Sequence, residues 1–592
     1  MSSIIENRDL LILPSNLPER SLYRLQKAVK HWRSFSDSIP AEEKSSIEPA
    51  HLKWIFINTL MHLYRSLPSL NFLKNKQISI CTQVEEDGLG DYYHALTDIE
   101  IIKSCYPESL ITCLFDFAKY EEHKETLFHP KDSELIFFNS KDPTISLEKL
   151  QTIVQRINNS SLIIDAPVGE FELFNPNFSR NNLLKYKEIL SKCVVSSDKI
   201  LAFREYDGTS RFDDPDRWVL GTSPFRMGIF FKSPPKGTTL ADLSEVPLKS
   251  FLFQTPEPTP ELIAKYEKNH QLYYGYIKID HPDDLFSIAH LLMVAAANAK
   301  SKETIDLILP MNDLQIESKP YLLELFKYLG VRTISLFKKE KEEMVLKKEL
   351  RIAEKGTTLR IINSFPMKNE DCKILAFLSK NPVGCTGDIS LTEIISFLKI
   401  YVYQAADHKG SIQPSLLKVL VEELTEGKET ALVKYLECLS KIGQILTDFS
   451  DDESEPLSEE EDGEESSASE PERKKMRINE DKQEIPSAIV QVGTQSEDEK
   501  ICRLAIEAGH LLRDPYIDEE MKAFSNLLKK RYCFNELLID LIDRHFAQMQ
   551  SPSLKEKENL LLDAFLSKKI SLVQVQDQLK TEIDSLSIRP LV

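Results

Sequence analysis

The stretch Leu359–Lys409 decides the fold class of this chain and reads LRIINSFPMKNEDCKILAFLSKNPVGCTGDISLTEIISFLKIYVYQAADHK. Three short apolar runs in it, LRIINSF, PVGCT and IYVYQ, are typical of strands. The two segments between them, NEDCKILAFLSK and ISLTEIISFLK, repeat apolar residues at helical spacing. Strands that alternate with helices in this way predict parallel βαβ units, so we expect an α/β fold.

The junction Thr386–Ser390 is predicted to be a turn from a strand into a helix. Gly387 allows the backbone to approach a ligand closely, because glycine has no Cβ. The helix that Asp388 and Ser390 open has free N–H groups at its start, and such groups attract anions. The sequence therefore predicts an anion site at this turn.

A second turn of the same kind follows the first clear strand, QISICTQV, at 77–84. Gly88 and Gly90 permit a tight turn there. Asp91 then opens the predicted helix YYHALTDIEIIKSCY. Two interpretations of Asp91 stay open, a functional carboxylate that faces a ligand and a simple helix cap.

The same patterns along the chain predict further strands at 110–117, 134–139, 161–168 and 199–207, and helices between some of them. A Pro-rich stretch separates these strands from a second series that begins near 273. We expect six parts: an N-terminal helical segment (1–76), an acceptor-side Rossmann-like domain (77–232), a Pro-rich interdomain connection (233–272), a donor-side Rossmann-like domain (273–449), a disordered acidic linker (450–495) and a helical bundle (496–592).

The segment TGDISLTEIIS, followed by a strand and then by His408 and Lys409, resembles the donor-side half of a GT-B glycosyltransferase. It is similar to heptosyltransferases and to protein-arginine rhamnosyltransferases, in which Gly-Glu-Asp-Ser opens the helix. This chain has Gly387-Asp388-Ile389-Ser390 instead, so the first acid is shorter and the second is replaced. The first glycine turn resembles the Gly-x-Gly-Asp loop of the same superfamily.

The resemblance covers roughly 77–447 and implies two Rossmann-like domains that face each other across a cleft. It also implies transfer of a sugar from a nucleotide-diphosphate donor to an acceptor, a protein side chain being one class of acceptor. No metal and no cofactor besides the donor are expected. The resemblance implies roles for these residues: Asp91 as the base, with His94 as the weaker choice; Thr386, Gly387, Asp388, Ser390, Glu393, His408 and Lys409 at the donor; and Gly88 and Gly90 in the cleft loop.

Two other functions stay open. The α/β halves are also compatible with a degenerate scaffold that binds proteins, with function in the acidic linker and the helical tail. A nucleotide-sugar epimerase has the same architecture, but this chain does not show the acid and histidine pair of such an enzyme in recognisable form. The triplet Asp214-Pro215-Asp216 is interpreted as an ordinary loop and not as a metal site, whereas Gly221 and Gly228 are candidates for cleft-facing positions.

Composition narrows the class of protein. A net charge of −19 over 592 residues disfavours binding to a nucleic-acid backbone. Nine scattered cysteines without a CxxC pair disfavour a zinc ribbon and fit a reducing compartment. No apolar run approaches the ~20 residues of a membrane span, and the first residues do not form a secretion signal. We therefore expect a cytoplasmic protein without a membrane span.

The acidic linker, the predicted bundle and a small basic cluster resemble features of proteins that work in a eukaryotic cell. Such a protein belongs to a eukaryote or is an effector that a bacterium delivers into one. The basic cluster Arg473-Lys474-Lys475-Met476-Arg477 matches a nuclear-import signal, although such short patterns are common by chance. The helical C-terminal part is expected to bind a protein partner.

Limited proteolysis tests the predicted linker. Residues 450–495 are dense in Asp, Glu and Ser and poor in large apolar side chains, so they cannot bury enough surface to offset the entropy of the chain. The first cuts by a non-specific protease, mapped by mass spectrometry, are expected within this segment. First cuts elsewhere, with this segment intact, would contradict the prediction.

Overall fold

A computed structural model describes residues 7–38, 41–66, 76–84, 89–125, 127–139, 142, 144–166, 196, 199–204, 217–277, 285–299, 304–405, 412–451 and 496–587. Within these residues two β-sheets lie in two successive parts of the chain, with helices before, between and after them. The protein is therefore a mixed α/β protein with parallel sheets, as the sequence predicts.

The first sheet has six strands in the order β3-β2-β1-β4-β5-β6, and every neighbouring pair is parallel. The strands are β1 (Gln77–Val84), β2 (Leu110–Phe117), β3 (Glu134–Phe138), β4 (Leu162–Asp165), β5 (Ile200–Arg204) and β6 (Arg217–Val219). The predicted bounds of β1 and β2 are confirmed. The strand order reverses between β1 and β4, which creates a switch point where ligands of doubly wound sheets bind.

The helices before and within this sheet are α1 (Asn7–Leu10), α2 (Glu19–Ser38), α3 (Ala41–Leu60), a 3-10 turn (Met61–Ser66), α4 (Gly90–Cys105), α5 (Tyr120–His123) and α6 (Leu147–Asn159). Helix α4 follows β1 and packs against it. Helix α6 begins where Ser146 accepts a hydrogen bond from the N–H of Lys149. The stretch 167–195 between β4 and β5 and the triplet Asp214-Pro215-Asp216 lie outside the described residues.

The second sheet has seven strands in the order β10-β9-β11-β8-β7-β12-β13. All neighbours are parallel except β9 and β10, which form an antiparallel hairpin. The strands are β7 (His270–Tyr276), β8 (Thr304–Ile308), β9 (Val331–Glu340), β10 (Glu343–Arg351), β11 (Thr357–Asn363), β12 (Val383–Thr386) and β13 (Tyr401–Gln404). Here the order reverses between β7 and β12, so the second sheet also has a switch point.

The helices that accompany this sheet are two 3-10 turns (Leu240–Asp242 and Gln315–Ser318), α7 (Val246–Phe253), α8 (Pro260–Asn269), α9 (Leu285–Ala297), α10 (Pro320–Tyr328), α11 (Asn369–Leu378), α12 (Asp388–Ser396), α13 (Ile412–Val419), a π-helical turn (Leu420–Leu424) and α14 (Ala431–Asp451). Most of the charged run 338–355, whose sequence is compatible with a solvated helix or a hairpin, belongs to the hairpin of β9 and β10.

The Pro-rich stretch 233–272 differs from the predicted connection, because it contains α7 and α8 and these helices pack on the second sheet. The N–H and hydroxyl of Ser244 donate to the carboxylate of Asp371 at 2.7 and 2.8 Å. The ring of Phe251 lies 4.6 Å from that of Phe337 on β9. Prolines occupy the first turns of both helices, where the missing N–H has no helical partner to lose.

The C-terminal part does not form the separate bundle that we predicted. Its helices are α15 (Glu497–Leu511), α16 (Ile517–Tyr532), α17 (Phe534–Gln550), α18 (Pro552–Leu566) and α19 (Leu572–Ser587). Helix α15 packs on α9 and α14, α16 on α2 and α12, α17 on α4, and the last two on α3. These amphipathic helices bury their apolar faces against the two domains, against the N-terminal helices and, for the last three, against each other.

The predicted acidic linker lies outside the described residues, apart from Ser450 and Asp451 at the end of α14. Helix α15 begins at Glu497 and packs along α14. The segment between them therefore joins two helices that are in contact with each other.

Within the described residues, two segments of the chain connect the two domains, and they lie side by side. We name 228–232 the first crossing and 532–535 the second crossing. The N–H of Ile229 donates to the carbonyl of Tyr532 at 2.7 Å, and the N–H of Phe534 donates to the carbonyl of Ile229 at 2.8 Å. A Cβ at Gly228 would lie 2.2 Å from the carbonyl oxygen of Tyr532. Gly228, a candidate for a cleft-facing position, thus permits this close approach of two backbones.

Replacing Gly228 by alanine is expected to destabilise the protein more than the same change at Gly237. Both glycines have positive φ, +97° and +77°, but a Cβ at Gly237 meets nothing within 4 Å. Backbone strain costs ~1–2 kcal/mol in either variant, and overpacking adds ~1–3 kcal/mol only at Gly228. Urea unfolding of both variants measures the difference. Equal losses of unfolding free energy would show that the crossings are not in contact.

Candidate functional site

The predicted turn Thr386–Ser390 lies at the switch point of the second sheet. Strand β12 has β7 on one side, with Cys385 opposite Tyr276, and β13 on the other, with Thr386 opposite Gln404. Gly387 follows β12 directly and has φ +79° and ψ 146°. A Cβ there would meet nothing within 4 Å. Backbone conformation, and not crowding, therefore requires glycine at this position, and the space beside it is open.

Helix α12 begins directly after this turn with an uncapped N-terminus. Its N-cap is Gly387, which has no side chain to accept hydrogen bonds from the first turn. Asp388 is buried, and the hydroxyl of Tyr403 donates to its Oδ1 at 2.7 Å. Ser390 and Thr386 are partly exposed. The first backbone N–H groups of α12 have no partner within the helix, so they leave a partial positive charge at the turn.

Glu393, which was expected at the donor, lies one turn further along α12 and is engaged by two lysines. Its Oε1 is 3.5 Å from Nζ of Lys232 and 3.9 Å from Nζ of Lys373. The Glu393 side chain is only 13% exposed. Lys232 belongs to the first crossing, and Lys373 belongs to α11 of the second domain. Glu393 thus forms ion pairs with two lysines, one helical turn after the Gly387 turn.

Gly90, the described glycine of the first predicted turn, starts the helix that follows β1, and β1 borders the switch point of the first sheet. Helix α4 begins at Gly90 with Leu89 at its N-cap, so Asp91 is the second helical residue and not the cap. Asp91 is 9% exposed, whereas Gly90 is exposed and has open space around it. Gly88 lies outside the described residues, as do His408 and Lys409.

His94, the weaker candidate for the base, lies in a packed interior. Its ring is 3% exposed and meets the ring of Phe230 edge-on at 4.6 Å. Its Nε2 is 3.8 Å from Oδ2 of Asp98 on the next turn of α4. Burial raises the pKa of the Asp98 carboxyl well above its usual range. The pair therefore faces the first crossing and not the open end of α4.

The two turns belong to helices that pack against each other, since α4 contacts α12. The first turn of α4 also approaches the carboxyl edge of the second sheet. Burial raises the pKa of the Tyr93 hydroxyl, and the charge of Glu370 and the nearby Tyr276 raise it further. Tyr276 is the last residue of β7 and is 43% exposed. The start of α4 thus lies beside the switch point of the second sheet.

The sequence did not identify Tyr93, Tyr276, Glu370, Lys232 or Lys373 as neighbours of these turns. They come from α4, β7, α11 and the first crossing, and no local motif joins them. Residues at the carboxyl ends of parallel strands gather at one edge of a sheet, so the positions of Tyr276 and Glu370 near the turn could have been predicted from the strand order. No sequence pattern predicts the positions of Lys232 and Lys373.

A buried histidine packs against the two strands, β7 and β12, between which the order of the second sheet reverses. His290 of α9 is fully buried, and a Cβ at Gly275 or Gly384 would lie 2.9 or 2.8 Å from its ring. Two glycines in adjacent strands therefore make room for this ring. Burial lowers the pKa of His290 to about 4, an effect that the carbonyl of Pro382 opposes only in part. The ring is neutral at pH 7.

Within the described ranges no group of three or more His, Cys, Asp or Glu side chains is arranged to hold a metal ion. None of the described helices is both long enough and apolar enough to cross a membrane.

No protein-family model matches this chain, and no curated protein matches it. Several solved structures resemble it. One is a glycosyl transferase of family 9 from Veillonella parvula, with 13% identity, a TM-score of 0.27 and coverage of 57% of this chain and 83% of that one. Another is an alpha-glucosyltransferase in complex with UDP and a mismatched DNA, with 10% identity, a TM-score of 0.29 and coverage of 56% and 78%.

A third is Arabidopsis thaliana UGT89C1 complexed with quercetin, with 10% identity, a TM-score of 0.26 and coverage of 77% of this chain and all of that one. Two of the three names describe sugar-transferring enzymes. A TM-score below 0.5 does not show a shared activity.

The buried ring of His290 predicts a loss of stability in acid. Its pKa is about 4 in the folded chain against an ordinary 6.5, so between these values the unfolded chain binds the proton more readily. Stability is complete above pH 6.5 and falls by up to about 3 kcal/mol towards pH 4. Urea unfolding across this range is expected to show a shallower loss for His290→Leu.

The exposed His129 provides the control, since His129→Leu is expected to keep the full pH dependence. His51, whose pKa burial also lowers to about 4, adds to the slope in all three proteins and cancels in the comparison. Equal slopes for both variants would contradict a neutral, buried His290.

Proposed function

We propose that this chain is a glycosyltransferase of GT-B architecture, which moves a sugar from a nucleotide-diphosphate donor to an acceptor. One observation carries the proposal: an open glycine turn lies at the switch point of the second sheet and leads into the uncapped N-terminus of α12. Ligands of doubly wound sheets bind at such switch points, and phosphates bind at such helix starts.

The chemistry in this proposal depends on charge at the leaving group. When the bond between sugar and diphosphate breaks, the diphosphate gains negative charge. The N–H groups at the start of α12 stabilise that charge, because they already point at the site and need not reorganise. In this mechanism the start of α12 stabilises the leaving diphosphate without a divalent metal. Asp388 is held by the Tyr403 hydroxyl, which keeps the turn in one conformation.

The acceptor must also lose a proton, and Asp91 is the proposed base. Helix α4 packs against α12, which supports a position of Asp91 near the domain junction. A general base must come within hydrogen-bond reach of the acceptor, and geometry in a ligand-free protein does not exclude a candidate. In this proposal the acceptor, for which a protein side chain is one class, enters between the two turns.

The alternative function is a degenerate scaffold that binds proteins, and ligand-binding measurements distinguish it from a glycosyltransferase. If neither nucleotide sugars nor nucleoside diphosphates bind, the two sheets serve as a frame for protein contacts. Isothermal titration with UDP, GDP and TDP and their sugars separates the two functions directly.

Replacing Gly387 by valine is expected to abolish binding of the nucleoside diphosphate that the unsubstituted protein binds. A β-branched side chain fills the open space beside the turn and disfavours φ +79°. Gly427→Val is the matched control, since Gly427 has φ +82° and equally open surroundings but lies in the turn after the π-helical residues.

Both valine variants should lose ~1–3 kcal/mol of stability through backbone strain. Only the variant at Gly387 should lose ligand affinity, by at least ~100-fold, measured by calorimetry. Equal affinity of the two variants would place the diphosphate elsewhere.

Replacing Asp91 by asparagine tests the proposed base. Turnover is expected to fall by about 10²–10⁴-fold with donor affinity intact, because asparagine keeps the shape but cannot accept the proton. Loss of a negative charge near the helix start costs at most ~1 kcal/mol of stability. Glu100→Gln, the same chemical change at an exposed position of α4, should leave turnover unchanged. Normal turnover of Asp91→Asn would contradict its role as the base and leave His94 as the other candidate.

A further inference from the structure

The two crossings form one paired connection between the domains. Besides the two backbone hydrogen bonds at Ile229, the side chain of Asn535 joins them. Its amide donates to the carbonyl of Phe231 at 2.7 Å, and its Oδ1 accepts from the N–H of Phe231 at 3.0 Å. The ring of Phe230 meets that of Phe534 edge-on at 4.9 Å. Movement of one crossing relative to the other would therefore break these hydrogen bonds and this ring contact.

Helix α12 is fastened to both crossings by its second half. The N–H of Lys232, in the first crossing, donates to the hydroxyl of Ser396 at 3.1 Å. The hydroxyl of Ser525, on the helix that leads into the second crossing, donates to the carbonyl of Ile395 at 2.7 Å. The helix has nine residues, so its anchored end lies only ~13 Å from the Gly387 turn.

The two lysines that contact Glu393 differ in what they join. Lys373 lies on α11, so its contact of 3.9 Å stays within the second domain. Lys232 lies in the first crossing, so its contact of 3.5 Å ties α12 to the connection between domains. Lys232 is 11% exposed and Glu393 is 13% exposed, which shields this pair from solvent screening more than a surface pair.

We propose that Lys232 and Glu393 are positioning residues that fix helix α12 to the paired crossings and so set the relative position of the two domains. The cation of the first crossing and the carboxylate of α12 do this together with the hydrogen bond from Lys232 to Ser396. The effect on catalysis rests on the proposed function: a diphosphate at one end of α12 is coupled through this helix to the domain that supplies the acceptor.

The test compares Lys232→Met with Lys373→Met. Each variant removes one positive charge from the same carboxylate, but only the first cuts the tie to the crossing. Pulsed dipolar spectroscopy measures the distance between spin-labelled unnatural amino acids at Glu100 and Glu354, exposed positions in the first and second domains. Without ligand, Lys232→Met is expected to broaden the distance distribution at least ~2-fold, whereas Lys373→Met should match the unsubstituted protein.

A general loss of stability does not explain that pattern, because thermal unfolding of the two variants is measured beside it and is expected to be similar. An unchanged distribution in Lys232→Met, or equal broadening in both variants, would overturn the proposal. Glu393→Gln provides a second route to the same result, since it keeps the shape and removes both ion pairs; it is expected to behave as Lys232→Met does.

Titration with UDP, GDP and TDP then separates this proposal from the proposed function. If the domain arrangement that binds the diphosphate falls to about a tenth of the population, Lys232→Met binds about 10-fold more weakly, and Lys373→Met binds as the unsubstituted protein does. If none of the three binds the unsubstituted protein, the donor site fails, while the distance measurement still decides whether Lys232 positions the domains. Binding that is equally strong in all proteins would overturn the coupling through α12.

Discussion

The close contact between two backbones at Gly228 is the constraint on which the arrangement of this protein depends. The carbonyl oxygen of Tyr532 occupies the place where any other residue would carry its Cβ. Because of this contact, the N–H groups of Ile229 and Phe534 find partners that a domain junction would otherwise leave to water. The helices on either side of the second crossing are thereby held against different domains, α16 on α12 and α17 on α4.

Charge near the Gly387 turn is mixed. The chain is strongly acidic overall, with a net charge of −19. The start of α12 carries partial positive charge, whereas the carboxylate of Asp388 is buried in the first turn of this helix. Lys232 and Lys373 both contact the carboxylate of Glu393, one turn further along. Lys232 also belongs to the connection between the domains.

The sequence predicted most of the strands and the turn at Gly387 because their signals are local. The bounds of β1 and β2 follow from apolar runs, and the turn follows from a glycine between a strand and a helix. The Pro-rich stretch was misread, because proline also favours the first turn of a helix, as in α7 and α8.

Contacts between distant parts of the chain carry no such local signal. An amphipathic pattern shows that each C-terminal helix has an apolar face, but it does not show which surface covers that face. Glu393 was predicted to contact a ligand, and no spacing rule pairs it with Lys232 in the first crossing. Asp91 was assigned from its place after β1, and its proposed role is still a prediction from that place.

The most direct measurement is a crystal structure of the protein with the nucleoside diphosphate that it binds most tightly. The account predicts diphosphate oxygens within hydrogen-bond distance, ~2.7–3.2 Å, of the backbone N–H groups of Asp388, Ile389 and Ser390, at the carboxyl end of β12. A diphosphate bound at the carboxyl edge of the first sheet, or at any place that leaves the start of α12 empty, would contradict it.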